Sequence, residues 1–333
     1  MKIRNIDFRA KASVFLLIAA GTLFQSCQQD GVDEWTDGED ELVPIEVQAG
    51  ITGDVVATRA TTYEKLPENS TIGIFCMKAN NYDLVEDVKY TNSSGTWQPA
   101  DKNRVIYVGA ETAKLCAYYC PSGVTFNEGG RGATSVTMKS QPYEGNDLCY
   151  ATNTTADVWK GSPEASFKMK HPYARMTFIL IRDLGYVGDC KVTNFCLGTK
   201  GGTFNFYVKR YLDISTGYGS TGLLASKLEW DMASNGWSDL ANNGIPTGIE
   251  NSKKIDLLLI PQNLSIDANL RVQLTVDGQV LSVDIPYDRL SKLGMGIHNI
   301  ITLTLKNTSL ELGSVETQNW TEVKVGSGDY EIK

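Results

Sequence analysis

Histidine is nearly absent from this sequence, with two residues in 333, His171 and His298. Any zinc knuckle or cysteine–histidine pair has to draw on one of them, and neither accompanies a GxSxG, HExxH or Cys/His pattern. Long apolar runs are missing as well. The longest, residues 12–24, has 13 residues. As a helix it would reach about 20 Å against a hydrocarbon core of about 30 Å, which excludes a multi-span membrane protein. Positive charge is in deficit, with 31 Lys and Arg against 39 Asp and Glu and a net charge of −8. A phosphate-binding surface would work against a repulsive background, so nucleic acid is not an expected partner. Helical periodicity of 3.6 residues is almost absent, and no internal repeat survives a count of matches. With 42% hydrophobic and 21% charged residues the composition is ordinary, excluding wholesale disorder and collagen-like repetition, and the length corresponds to about two domains.

What is present begins with a targeting segment. Residues 1–26 carry a basic start (Lys2, Arg4, Arg9, Lys11), the apolar run and a small boundary residue, Ser26, the three parts of a secretory signal. Phe24-Gln25-Ser26-Cys27 resembles the lipobox of bacterial lipoproteins, in which the cysteine thiol is acylated, as with palmitate, and becomes the mature amino terminus. The polar and acidic residues that follow (Gln28, Gln29, Asp30, Asp33, Glu34) resemble the surface-export tether of Bacteroidetes lipoproteins. The expected location is the cell outer membrane and its surface.

Charge is distributed unevenly. Residues 27–59 hold nine acids and one base, whereas residues 60–333 carry a net charge of only −3. The acidic start of the first segment reads as a solvated tether. Its second half differs: Val43, Ile45, Val47, Ala49 and Ile51 occupy alternate positions, the period of a half-buried strand, with Pro44 near the start as an edge strand permits. That strand ends before Arg59 and Ala60.

Beyond residue 60, short apolar runs separated by Asn, Gly, Ser and Asp read as strands over residues 72–77, 104–108, 113–119, 176–181, 191–197, 255–260 and 300–305. The clearest hairpin is Leu270–Val276, Asp277-Gly278 and Gln279–Ile285. Asp-Gly suits the positive φ angles of a type I′ turn. Short helical turns are expected near residues 224–233 and 287–293. Strands at this spacing predict an all-β chain built as a sandwich.

Gly217-Tyr218-Gly219-Ser220-Thr221-Gly222 matches the dinucleotide fingerprint GxGxxG. That motif works only between a parallel strand and a helix, so here it is expected to be a mobile Gly/Ser loop. Carboxylates are scattered over loops and solvent faces with no pairing pattern for glycoside hydrolysis. Six cysteines remain besides Cys27. Cys116 and Cys120 in one strand would lie about 13 Å apart, beyond the roughly 7 Å limit for a disulfide, and Cys190 and Cys196 farther still, so buried free thiols are expected. No catalytic, cofactor-binding or metal-ligating residue is assigned, and both histidines are expected to be structural.

Several motifs in order resemble one family, the fimbrillins of Bacteroidetes, subunits of the type V pilus. They are the lipobox, Ala117-Tyr118-Tyr119-Cys120-Pro121, Asp147-Leu148-Cys149-Tyr150-Ala151, and Phe167-Lys168-Met169-Lys170-His171 leading into a strand. Leu257-Leu258-Leu259-Ile260-Pro261-Gln262, Leu293-Gly294-Met295-Gly296 and Ser314-Val315 through Trp320 follow. Cys120 and Lys170 are insertions relative to the usual pattern. The resemblance implies two transthyretin-like β-sandwich domains in tandem, over residues 60–165 and 166–333, behind a 27–59 propeptide. It further implies export as a lipoprotein, cleavage by an arginine-specific protease between Arg59 and Ala60, and polymerisation with other fimbrial subunits by strand exchange. The strand of Val43, Ile45, Val47, Ala49 and Ile51 would be the one displaced.

A donor candidate lies in the tail, residues 320–333, where Val323, Val325, Tyr330 and Ile332 alternate with polar residues. The same pattern suits a last strand of the second sandwich. The expected function is a structural stalk or tip subunit of a cell-surface fimbria serving adhesion to host or bacterial surface ligands, with no enzymatic activity and no cofactor. The alternative is a monomeric, surface-anchored adhesin or glycan-binding lipoprotein, which would have no use for a protease site after its first strand. Cys27→Ala should leave an uncleaved or mislocalised precursor in cell fractionation, and normal surface display of that variant would reject the lipoprotein assignment.

Overall fold

Alternating sequence becomes sheet when each face of a strand meets a different environment, and the Asp277-Gly278 hairpin is the plainest case. In the computed structural model, which describes residues 42–51, 64–202, 204–265 and 268–320, Leu270–Val276 pairs in register with Gln279–Ile285. Asp277 and Gly278 have φ of 46° and 81°, both positive as a type I′ turn requires. Leu270, Val272, Leu274 and Val276 are fully buried. Val192–Thr199 and Leu228–Asp231 extend this pair to a four-stranded sheet.

A five-stranded sheet supplies the other layer of this sandwich, in the order Gln141–Pro142, Lys253–Leu259, Ala174–Arg182, Ile297–Leu305, Leu310–Asn319. Between the layers Phe178 packs on Phe195 with ring centroids 4.8 Å apart, and Phe195 on Trp230 at 5.8 Å. The first sandwich has a five-stranded sheet, Cys149–Ala151, Leu115–Tyr119, Thr71–Cys76, Val85–Ser93, Thr96–Pro99, packed against a three-stranded sheet, Glu164–Met169, Glu46–Ile51, Glu64–Lys65. The chain is therefore an all-β protein of two β-sandwiches, and its described residues belong to one compact unit starting at Asp40.

A third apolar cluster joins the sandwiches along a seam, and it explains why several strands are apolar at every position. Ile72, Ile74 and Cys76 enter the first core while Phe75 enters the seam; Leu115, Ala117 and Tyr119 enter the core while Cys116 and Tyr118 enter the seam. On the other side Leu257 and Leu259 enter the second core while Leu258 and Ile260 enter the seam. A strand buried on both faces reads as a continuous apolar run. The first core extends past residue 165, since Phe167 and Met169 of Glu164–Met169 belong to it, and the second begins at Ala174.

Several expectations are corrected. Residues 224–233 hold no helical turn: Leu223–Ala225 pairs with Phe206–Asp213, and Leu228–Asp231 pairs with Val192–Thr199. Leu224, Leu228 and Met232 happen to be spaced like a helix face, but Leu228, Trp230 and Met232 are buried at strand spacing. Near residues 287–293 the expected helical turn is present, with Arg289 N–H and Leu290 N–H both donating to Pro286 O at 3.0 and 3.2 Å, and a two-residue strand, Lys292–Leu293, follows; the one short α-helix among the described residues is Ser238–Asn242. Only Tyr107–Val108 of residues 104–108 is strand. Cys190 lies before its expected strand with φ of 59°. Cys76, Cys116, Cys120, Cys149, Cys190 and Cys196 are free thiols, all buried except the half-buried Cys120.

His298 is buried, and its partners lie within the five-stranded sheet. Its Nε2 lies 2.7 Å from Thr177 Oγ1, which donates to Asp256 Oδ1 at 2.9 Å, and the buried Arg175 completes the chain by donating Nε–H to the same carboxylate. Thr177 spends its proton on Asp256, so His298 Nε2–H is the donor to Thr177, which leaves Nδ1 unprotonated. Burial first, and then the Arg175 charge, push the imidazole pKa down to about 4. An unfolded chain binds that proton near the ordinary value of about 6.5, so this group's contribution is whole above pH 6.5 and is lost as pH falls toward 4, by about 3 kcal/mol. The urea midpoint should therefore drop less between pH 6.5 and 4 in His298→Gln than in the parent; equal drops would reject the assignment.

Candidate functional site

The amino-terminal strand is held by two kinds of pairing. Val43–Pro44 runs antiparallel to Tyr107–Val108, while Glu46–Ile51 runs parallel to Glu164–Met169 over all six residues, from Glu46 opposite Glu164 to Ile51 opposite Met169. Ile45, Val47 and Ile51 are buried in the first core, Val43 and Ala49 pack at its margin, and Pro44, Glu46 and Gln48 face outward. Alternation in the sequence thus matches alternation in space. Burying the three core side chains contributes about 5 to 9 kcal/mol, comparable to the stability of a whole domain.

On the strand's other edge, Glu64–Lys65 pairs only with Gly50 and Ile51. No strand among the described residues pairs with Glu46 to Ala49 on that side. A groove of about 770 Å³ runs along the strand, lined by it together with Leu66, Asn92 and Trp97 and by Phe167 of the strand paired on its opposite edge. The first sandwich therefore keeps one incompletely covered edge beside its amino-terminal strand.

Arg59 and Ala60 fall in residues 52–63, between Glu46–Ile51 and Glu64–Lys65, and lie outside the described residues. Cys27 also lies outside them, as do Val323, Val325, Tyr330 and Ile332. The described chain ends at Trp320, which is buried in the seam. Its N–H donates to Gly296 O at 2.8 Å, and its ring stacks on His171 at 3.6 Å and meets Tyr143 edge-on. No helix of the described residues is long and apolar enough to cross a membrane.

The catalytic signals resolve into structure. GxGxxG forms the connection between antiparallel Phe206–Asp213 and Leu223–Ala225, with no helix behind it. Gly219 bridges to Leu212, and a Cβ at Gly222 would meet Lys209 O at 1.9 Å, so the glycines permit close backbone approach rather than a loose loop. One carboxylate departs from the expected solvent placement. Asp147 is buried with Cys149 and His171, and Asp147 Oδ2 and His171 Nε2 have no hydrogen-bond partner. Both acid and thiol approach the same ring nitrogen, Nδ1, whereas a nucleophile–base–acid relay uses opposite nitrogens. The sealed cluster cannot receive a substrate. Sequence reasoning missed it because His171 lies 22 residues after Cys149; the one local signal is Asp147 and Cys149 at alternate positions, which share a face on entering a strand.

With this geometry in view, similarity to known proteins becomes informative. No curated protein matches the chain significantly. A candidate cell adhesion protein of Bacteroides ovatus has a similar structure, with a TM-score of 0.58 at 14% identity over 85% of this chain and 100% of that one. A candidate cell adhesion protein of Bacteroides uniformis gives a TM-score of 0.58 at 19% identity over 84% and 99%. At these identities the likeness concerns the fold. Residues 58–320 match the sequence profile described as fimbrillin-like; this covers well over half of the sequence, and the chain belongs to the fimbrillin-like family.

Proposed function

We propose that the chain is a stalk or tip subunit of a cell-surface fimbria, exported as a lipoprotein through Cys27, matured by cleavage after Arg59 and polymerised by donor-strand exchange in the service of adhesion. The family is structural, and the chain is not an enzyme. Its setting is the fimbrium at the cell surface, and its partners are other fimbrial subunits.

The observation that carries this reading is the position of Glu46–Ile51. It is a core strand that precedes the family-matched region, which begins at residue 58. Cleavage after Arg59 separates this strand from the rest of the chain. Its departure would expose the pairing edge of Glu164–Met169 and the apolar Ala165, Phe167 and Met169 that it helps to cover. An unpaired edge over a hydrophobic groove is a template for an incoming strand. A contact in which each subunit gives one strand and receives another is head-to-tail and does not close, so it builds a filament. The tail beginning after Trp320, with Val323, Val325, Tyr330 and Ile332, is the donor in this reading.

Before cleavage, the tethered strand refills its own groove faster than any free competitor can enter. Cleavage does not expel a strand held by several kcal/mol, but it makes departure irreversible once the strand diffuses away. A donor fixed to a folded neighbour then has the advantage.

Arg59→Ala should give a folded, lipid-anchored monomer absent from filaments, whereas deleting residues 321–333 should give a cleaved subunit that accepts a donor but cannot supply one. Electron microscopy and boiling-resistant ladders on gels would read both. If the Arg59→Ala protein assembles like the parent, the switch is not at Arg59 and a permanently anchored adhesin becomes the better reading. If the tail deletion polymerises normally, the donor is another strand.

A further inference from the structure

Asp147 and His171 are buried beside Cys149, a residue of the first core, and the strand-exchange reading uses none of the three. Two local features assemble this cluster. Asp147 and Cys149 sit at alternate positions where the chain enters Cys149–Ala151. Tyr150 and Lys170 exchange backbone hydrogen bonds of 3.0 and 2.9 Å, which brings His171 alongside Cys149. Exposures are 1%, 0% and 1% for Asp147, Cys149 and His171, and the Trp320 ring covers one face of the imidazole at an interplanar angle of 11°.

The three donor atoms converge. His171 Nδ1 lies 2.8 Å from Asp147 Oδ1 and 3.3 Å from Cys149 Sγ, and the sulfur lies 3.9 Å from the same carboxylate oxygen. A point equidistant from these atoms is about 2.0 Å from each, against zinc bonds of about 2.0 to 2.3 Å to nitrogen, oxygen and sulfur. Hydrogen bonding satisfies one carboxylate oxygen only: His171 Nδ1–H and the Cys149 thiol, at 3.9 Å, can both donate to Asp147 Oδ1, while Asp147 Oδ2 and His171 Nε2, sealed from water, have no partner. A cation at the shared point takes electron pairs from all three side chains, and Oδ2 can complete the fourth position as the second arm of a bidentate carboxylate.

We propose that Asp147, Cys149 and His171 bind one divalent transition-metal ion, zinc by ligand chemistry, as a structural site in the seam. Thiolate, imidazole and carboxylate together suit zinc, and a thiolate does not suit magnesium or calcium. The charges balance: a dication, one carboxylate, one thiolate and a neutral imidazole sum to zero, with the thiol proton released to solvent on binding. Because the site is sealed, the ion enters as the chain folds. It would pin residues of the first sandwich to the segment leading into the second, beneath the ring of Trp320.

The test is to unfold the full chain with denaturant and chelator, refold it with Zn²⁺ or Co²⁺, and remove unbound ion on a chelating resin. About one ion per chain should remain, the melting temperature should exceed that of chain refolded metal-free, and the cobalt form should show thiolate-to-cobalt charge-transfer absorption. Cys149→Ser should lose that absorption, whereas Cys120→Ser should keep it. Should Cys149→Ser fail to fold, the parent protein decides alone. Parent chain that refolds without retained metal and melts identically with and without zinc would overturn the proposal, as would a charge-transfer band that survives in folded Cys149→Ser.

Discussion

The structure depends on strands that serve two apolar environments at once. Thr71–Cys76, Leu115–Tyr119 and Lys253–Leu259 each send alternate side chains into a sandwich core and into the seam between the sandwiches. In such strands a one-residue register shift would exchange side chains fitted to the core for side chains fitted to the seam, so the register is fixed from both sides. That constraint makes the two sandwiches one body. At the margin strand Thr96–Pro99, by contrast, exposed and half-buried positions alternate.

Against this background the amino-terminal strand is the exception. Glu46–Ile51 has a wet face carrying Glu46 and Gln48, and it reaches the core only through Ile45, Val47, Ile51 and the margin residues. A strand with one polar face can leave into water at lower cost than Thr71–Cys76 could. Its replacement needs only matching alternation, since backbone pairing with Glu164–Met169 is indifferent to side-chain identity. The single polar face that sets this strand apart from Thr71–Cys76 is also what made it readable as a separate segment.

How much was legible follows from how local each signal is. Asp277-Gly278 and its flanking alternation specify a hairpin within 16 residues, 270–285, and the structure matches it position by position. The continuous runs at Leu257-Leu258-Leu259 and around Ala117 announced buried strands, but not that their two faces belong to different cores, which is a property of distant partners. The helical turn expected near residue 228 failed because Leu224, Leu228 and Met232 mimic a helical face while a long-range pairing with Val192–Thr199 prevails. The Asp147, Cys149 and His171 cluster was illegible for the same reason. Its members are brought together by the Tyr150–Lys170 bridge, and nothing near His171 in sequence announces a thiol or an acid.

The parallel pairing of Glu46–Ile51 with Glu164–Met169 also bears on how a surface subunit carries tension. The second of these strands continues through residues 170–173 into Ala174–Arg182, the middle strand of the five-stranded sheet. Glu46–Ile51 is thus bonded along six residues to a strand that leads directly to the centre of the second sandwich. Tension along the strands loads these bonds together in shear instead of opening them one at a time from an end, and survival under such a pull is governed by the unfolding rate. At the turn between those strands sit His171, stacked on Trp320, and Tyr173, whose carbonyl accepts from Gly296 N–H. The residues between the two strands are therefore braced on both sides, and force passing from the first sandwich to the second meets a packed seam in place of a flexible linker.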